Sequence, residues 1–202
     1  MDREGGRGIR VLLITGNKYK AIEISQILED LYPEVFSIEI GSDVKKLEIQ
    51  SESLEEIAYT SLRSAIEHLD ISRWDTIWVE DSGLFIEALG GFPGPYSSYV
   101  LRKIGLEGIL RLLSGVSDRR ACYRAVIAYT LKGSIGVESG ELCGSIAYRA
   151  DGSEGFGYDP IFIPEGYSET LARLGYSVKN RISHRARAVK AVASKILSFH
   201  QL

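Results

Sequence analysis

Apolar residues run almost without interruption from Ile9 to Ile14 and stop at Thr15-Gly16-Asn17. That is the pattern of a buried strand feeding a turn. Over Lys18 to Leu31 the spacing changes: Ile22, Ile24, Ile27, Leu28 and Leu31 recur at helical intervals, and Pro33 ends the run. Val35 to Ile40 alternates and predicts a second strand. Ser53 to Leu69 predicts a helix, with Ser53 and Glu56 in capping-box spacing. Thr76 to Val79 predicts a buried strand that ends at Glu80-Asp81-Ser82-Gly83. Ala88 to Tyr99 reads as loop and Gly105 to Leu113 as a short helix. Two stretches rich in β-formers, Ala121 to Leu131 and Ile135 to Tyr148, meet at the hairpin signal Lys132-Gly133-Ser134. A short strand at Ile161 to Ile163 follows. The chain closes on a helix from about Arg185, with Ala186, Val189, Ala193 and Ile196 on one side.

Strand and helix alternate first, and a long hairpin comes later. The expected fold is therefore α/β: a mixed twisted sheet flanked by helices, with a β-hairpin-rich second lobe and a cleft between the lobes. Ligand sites in open α/β sheets favour the carboxyl ends of strands, which brings Thr15-Gly16-Asn17 and Glu80-Asp81 toward that cleft. With 202 residues, one domain over 9–202 is expected, preceded by a polar, glycine-rich segment, 1–8, that frays. No apolar run reaches the length of a membrane span and no signal-peptide pattern opens the chain, so a cytoplasmic protein without membrane contact is expected. Cys122 and Cys143 fit no zinc spacing and read as buried free thiols, with a hairpin disulfide as the alternative.

Charge is unevenly placed. From Thr170 onward there are seven Lys and Arg residues and no acid, while the first 169 residues carry 17 basic and 27 acidic side chains. A basic end folded back on an acidic body gives the mixed site that a metal–phosphate ligand needs. Thr15, Gly16, Asn17 and Lys20 sit where a strand becomes a helix, and a helix N-terminus attracts phosphate, although the Gly-Lys-Ser/Thr spacing of a P-loop is absent. Glu80 and Asp81 need a cation or donors if buried, and Glu48 is a further candidate to hold Mg²⁺ with them. Gly155-Phe156-Gly157-Tyr158-Asp159-Pro160 offers a permissive backbone, two aromatic faces and a carboxylate, suited to a purine. Lys179, His184 and Arg185 follow, with Ser183 as a helix cap. A His and an Arg in a first helical turn oppose the dipole, which points to an anionic or carbonyl-bearing ligand.

In chain order, Thr15-x-Asn17-x-x-Lys20-x-x-Glu23, Val79-Glu80-Asp81-Ser82-Gly83-Leu84, Leu89-Gly90-Gly91-Phe92-Pro93-Gly94-Pro95-Tyr96, Gly155 to Phe162 and Lys179-Asn180-x-Ile182-Ser183-His184-Arg185 resemble the inosine triphosphate pyrophosphatase family, from Val11 to about Ile196. The resemblance implies hydrolysis of ITP, dITP and XTP to the monophosphate and pyrophosphate. It places Thr15, Asn17 and Lys20 on the triphosphate, and Glu48 and Asp81, with Glu80, on Mg²⁺, Asp81 also serving as proton acceptor. It puts Phe156, Tyr158 and Asp159 around the purine, Lys179, His184 and Arg185 closing over base and sugar, and Ser82 beside the substrate. A homodimer is implied as well. Val178 departs from the family, which commonly has Glu there, and Arg173 stands where an acid usually follows the alanine. Two rival readings have less behind them. Nucleic-acid binding fits poorly with a pI of 5.7 and aromatics clustered among carboxylates. A Maf-type pyrimidine pyrophosphatase lacks the Gly155 loop and the Ser-His-Arg segment.

Overall fold

The computed structural model describes residues 8–200, the His200 side chain apart. The expected fraying of 1–8 falls, Gly8 excepted, outside the described residues. β1 (Ile9–Leu13) is an inner strand, one in from the edge: it pairs in parallel with β2 (Phe36–Ile40) on one side and β3 (Thr76–Ile86) on the other. Its inward residues are apolar toward both faces, as a strand covered on both sides requires. α1 (Lys18–Leu31) connects β1 to β2, and α2 (Leu54–Ile66) precedes β3. Asn17 caps α1 by accepting from the backbone N–H groups of Tyr19 and Lys20. Ser53 caps α2 by accepting from Glu56 N, but the reciprocal half of the capping box is missing, because the Glu56 carboxylate takes the Ser51 hydroxyl instead.

Beyond β3 the sheet turns antiparallel. β4 (Pro93–Gly94) is a two-residue strand on β3, and α3 (Ser97–Leu112) follows, kinked at Gly105. β5 (Arg120–Leu131) and β6 (Ser134–Ile146) form the long hairpin, with β7 (Phe162–Pro164) at its edge. The strand order is β2-β1-β3-β5-β6-β7. α4 (Leu171–Ile182) and α5 (His184–His200) close the chain. The mixed sheet flanked by helices is thus as expected, while α4 and the first half of α3 lie where sequence pattern gave no helix.

Alternation along β3 and β5 divides the interior. Trp78, Ala125, Ile127 and Tyr129 pack with α1 and α5 on one face. Ile77, Val79, Val126 and Ala128 pack with α2 on the other. Further along the same two strands, Leu84, Ile86, Ala121 and Tyr123 enter a separate core with α3, α4 and the far half of β6. Glu80, Asp81, Ser82 and Gly83 fall between these cores, so they lie within an unbroken strand rather than at the strand end that the sequence suggested. Gly83 permits this crossing: a Cβ there would stand 2.1 Å from the Gly94 carbonyl oxygen, so only glycine lets β4 close on β3.

Cys122 and Cys143 face each other across β5 and β6 and form a disulfide, which corrects the expectation of free thiols. The turn at Lys132 and Gly133, both with positive φ, sets the hairpin register that brings them together.

Candidate active site

Two contiguous hollows meet over Glu80–Gly83. The inner one, about 260 Å³, is lined by Phe156, Gly157, Tyr158 and Asp159, by Lys179, His184 and Arg185, and by Tyr123, Ser97, Ser98 and Leu101. The outer one, about 770 Å³, is lined by Thr15, Gly16, Asn17 and Lys20, by Glu48, Glu80 and Asp81, and by Lys46 and Arg102. Asn17, Lys20, Asp81, Pro95 and Ser98 border both. Of the residues singled out from sequence, only Ser183 borders neither; it is fully buried and caps α5, its Oγ accepting from Ala186 N.

Beneath the junction lies a buried charge network. Arg185 donates through Nε to Glu80 Oε1 (3.0 Å), through Nη1 to Glu23 Oε2 (2.7 Å) and through Nη2 to Ser82 Oγ (3.0 Å). Lys179 Nζ lies 2.7 Å from Asp159 Oδ2 and 3.3 Å from Glu23 Oε2. Lys20 Nζ lies 2.7 Å from Glu80 Oε2 and 3.9 Å from Asp81 Oδ1. Four carboxylates, Glu23, Glu80, Asp81 and Asp159, therefore share three cations. The one least served is Asp81: its Oδ1 accepts only the Ser82 N–H, and it faces the opening with its side chain 25% exposed.

The environment separates these neighbours. Burial would push the Glu80 carboxyl up, but Arg185 and Lys20 outweigh it and hold it at about 2. For Asp81 burial prevails over Lys20, and the adjacent Glu80 charge adds to it, so its pKa is raised. Burial also raises Asp159 despite Lys179. His184 is driven well below the usual histidine value by burial, with Arg185, Lys179 and Lys20 adding to the effect, and is neutral. The dipole misfit noted in the sequence is thereby resolved within the protein, since His184 is uncharged and Arg185 is met by two carboxylates.

Several candidates have structural duties that sequence did not reveal. Asp159 is 1% exposed, and Oδ2 accepts from Phe156 N as well as from Lys179. Gly155, at φ 81°, leaves room for that carboxylate: a Cβ would stand 2.2 Å from Asp159 Oδ2. Tyr158 is 2% exposed and donates its hydroxyl to the Ser97 carbonyl, tying the loop to α3. Phe156 remains as the accessible aromatic, with Lys179 Nζ 4.3 Å from its ring centre and the Tyr19 ring nearly parallel at 5.5 Å.

Glu23, Tyr19 and Tyr123 were not among the sequence candidates, although the first was visible as the last member of the opening motif. Glu48 lies across the outer hollow, paired with Lys46 at 2.6 Å, which holds its carboxyl below the usual value. Glu48, Glu80 and Asp81 are not drawn into one cluster with oxygens within 4.8 Å of each other. Even so, the donor set suits a hard cation: all oxygen, with a carboxylate only weakly paired at the opening. Asp81 and the exposed Glu48 could hold one, whereas the Glu80 carboxylate is buried between Arg185 and Lys20.

A mixed α/β sheet with an aromatic cavity opening into a groove of carboxylates and cations defines a nucleotide-site protein. The chain belongs to the Ham1 family, whose model matches residues 11–195. It is 49% identical over 180 residues to the dITP/XTP pyrophosphatase of Pyrobaculum aerophilum, covering 89% of this chain and 92% of that one. It is 48% identical over 186 residues to the enzyme of the same name from Methanopyrus kandleri, covering 92% and 95%. The Ham1 protein of Staphylococcus aureus superposes with a TM-score of 0.78 at 29% identity, covering 94% of this chain and 98% of that one. Among the described residues no helix is long and apolar enough to cross a membrane.

Proposed function

We propose that this chain hydrolyses the non-standard purine nucleoside triphosphates ITP, dITP and XTP to the monophosphate and pyrophosphate, clearing them from the nucleotide pool. The observation that carries the reading is the position of Asp81, the carboxylate left over from the buried network, where the aromatic cavity meets the cation-lined groove. The purine occupies the cavity beside Phe156, and the phosphates extend into the groove past Asn17 and Lys20.

Asp81 orients the attacking water and accepts its proton as the water oxygen bonds to the α-phosphorus. Its raised pKa favours that role, because a base is most effective when its pKa approaches the working pH. Glu80 stays ionised and fixes Lys20 at 2.7 Å, so the ammonium is already aimed when the pyrophosphate leaves. Lys46 and Arg102 border the same groove and add to its attraction for polyphosphate. Pyrophosphatases of this family are generally metal-dependent. Mg²⁺, held by Asp81 and Glu48, would supply Lewis-acid neutralisation of phosphate oxygens.

A panel of triphosphates with product analysis tests the reading. ITP, dITP and XTP are expected to be cut far faster than ATP, GTP or CTP, with pyrophosphate released. Equal rates on ATP and ITP, or a diphosphate product, would overturn it. A homodimer working in the cytoplasm as one two-lobed domain is part of the same proposal, and light scattering of the purified protein checks the dimer.

A further inference from the structure

The Tyr123 and His184 rings lie 4.6 Å apart and only 5° from parallel, and both line the base cavity. Tyr123 has little freedom. Phe162 packs against its ring at 4.8 Å and 58°, and its hydroxyl lies 3.5 Å from Asp159 Oδ1. Asp159 is itself held by Lys179 and the Phe156 backbone. The imidazole therefore rests on an aromatic plate that is fixed at its ring and at its hydroxyl.

His184 is 2% exposed, and its Nδ1 is buried with no hydrogen-bond partner. A neutral imidazole has one N–H and one bare nitrogen, and burial decides between them. Nδ1 is unmet in either form, but a buried N–H with no acceptor is rarer and costlier than a buried lone pair with no donor. A proton on Nε2 lies on the ring nitrogen left for the cavity that His184 borders. Burial and the four surrounding cations, Arg185, Lys179, Lys20 and Arg187, keep a second proton off the ring.

We propose that Tyr123 is a positioning residue for base selection: its stack on His184 holds Nδ1 toward the protein and the Nε2–H toward the base, so that a neutral histidine donates to the 6-oxo oxygen of the substrate. The inference rests on the functional reading above and adds to it the tautomer and the residue that enforces it. Adenine presents a 6-amino donor to the same N–H, leaving both donors unmet, and such a mismatch discriminates strongly. Arg185 is less suited to this task, because three of its five N–H groups already serve Glu80, Glu23 and Ser82. Removing the plate would let the imidazole turn over about its broad, two-fold outer torsion and present the bare nitrogen.

The test combines nitrogen NMR with kinetics. The chain has three histidines, and a His184→Gln variant identifies the signals of the one in question. In ¹⁵N-histidine-labelled parent protein, His184 is expected as the neutral Nε2–H form throughout the neutral pH range. A protonated ring or the Nδ1–H form would overturn the proposal, and this measurement needs neither activity nor a Tyr123 variant. Tyr123→Phe keeps the stack and is expected to hold the ITP:ATP ratio of kcat/KM within about threefold. Tyr123→Leu is expected to lower that ratio at least about tenfold, mainly through KM for ITP, since a lost hydrogen-bond readout costs that much or more. An unchanged ratio in folded Tyr123→Leu protein would overturn the proposal; if that variant fails to fold, the nitrogen spectra of the parent and of Tyr123→Phe decide. A parent enzyme indifferent to ITP and ATP would instead refute the functional reading, whatever the tautomer.

Discussion

Lys20 Nζ lies 2.7 Å from Glu80 Oε2 but 3.9 Å from Asp81 Oδ1, so one ammonium treats two adjacent carboxylates unequally. Glu80, with Arg185 on its other oxygen, is locked as an anion; Asp81 is left weakly paired at the opening. Neighbouring acids whose pKa values are pushed apart are divided between a structural charge and a proton acceptor.

Asp81→Asn removes that acceptor with little change in shape. Turnover is expected to fall by at least ~10²–10⁴-fold, the usual contribution of a general base. The melting temperature should hold, because the buried network loses no member on which Arg185 or Lys179 depends. Steady-state rates and a thermal melt on one preparation check both; turnover within threefold of the parent would remove Asp81 from the mechanism.

The acid limb of the kcat profile should follow Asp81. A base must be ionised to work, so activity falls as pH drops through the Asp81 pKa, which burial raises and a bound Mg²⁺ would lower. Glu80 behaves oppositely: its folded pKa of about 2 lies below the unfolded value, so its stabilisation is present above about pH 4.5 and is lost only as pH falls toward 2. Activity should therefore disappear at a pH where circular dichroism still reports a folded protein. Coincident loss of both would contradict the division.

Arg185→Ala takes from the buried Glu23 and Glu80 the cation they share, leaving each with a single lysine. Breaking a buried pair from one side costs about 3–5 kcal/mol, which in a chain of this size lowers the melting temperature by roughly 6–20 °C. Calorimetry of this variant beside Arg187→Ala, whose side chain is exposed, separates the buried role from general charge loss. Equal, small shifts would mean that the network is not what holds α5 to α1.

Exhaustive chelation is expected to abolish hydrolysis, with recovery on adding Mg²⁺ or Mn²⁺, because oxygen ligands suit both ions. Glu48→Gln should raise the concentration of Mg²⁺ needed for half-maximal rate while leaving folding unchanged, since Glu48 is exposed and binds only Lys46. Full activity after chelation would show that Asp81 and Glu48 hold no metal.

The apolar spacing of β1, α1 and the β5–β6 hairpin was legible because each keeps one period over many residues. α4 was not: Gly175 interrupts it with φ 79°, and its polar residues blur the helical face. Asp81 and the Gly155 loop stood out through their motifs; Glu23 closes the opening motif too, but among the apolar positions of α1 a glutamate looks like a solvent-facing residue. Its 1% exposure arises from Arg185, 162 residues away, a pairing that no local pattern contains. The disulfide did have a signal. Once the turn is placed at Lys132 and Gly133, hairpin geometry sets Cys122 opposite Cys143.

The buried network also limits how this pocket can change by mutation. Exchanging Glu23, Glu80 or Asp159 singly leaves Lys179 or Arg185 buried with one carboxylate in place of two, so these five positions are costly to alter except in compensating groups. Ser98 and Leu101 border the same cavity from α3 and carry no charge. New base preferences, whether inherited or designed, are therefore most accessible by single steps from the α3 wall.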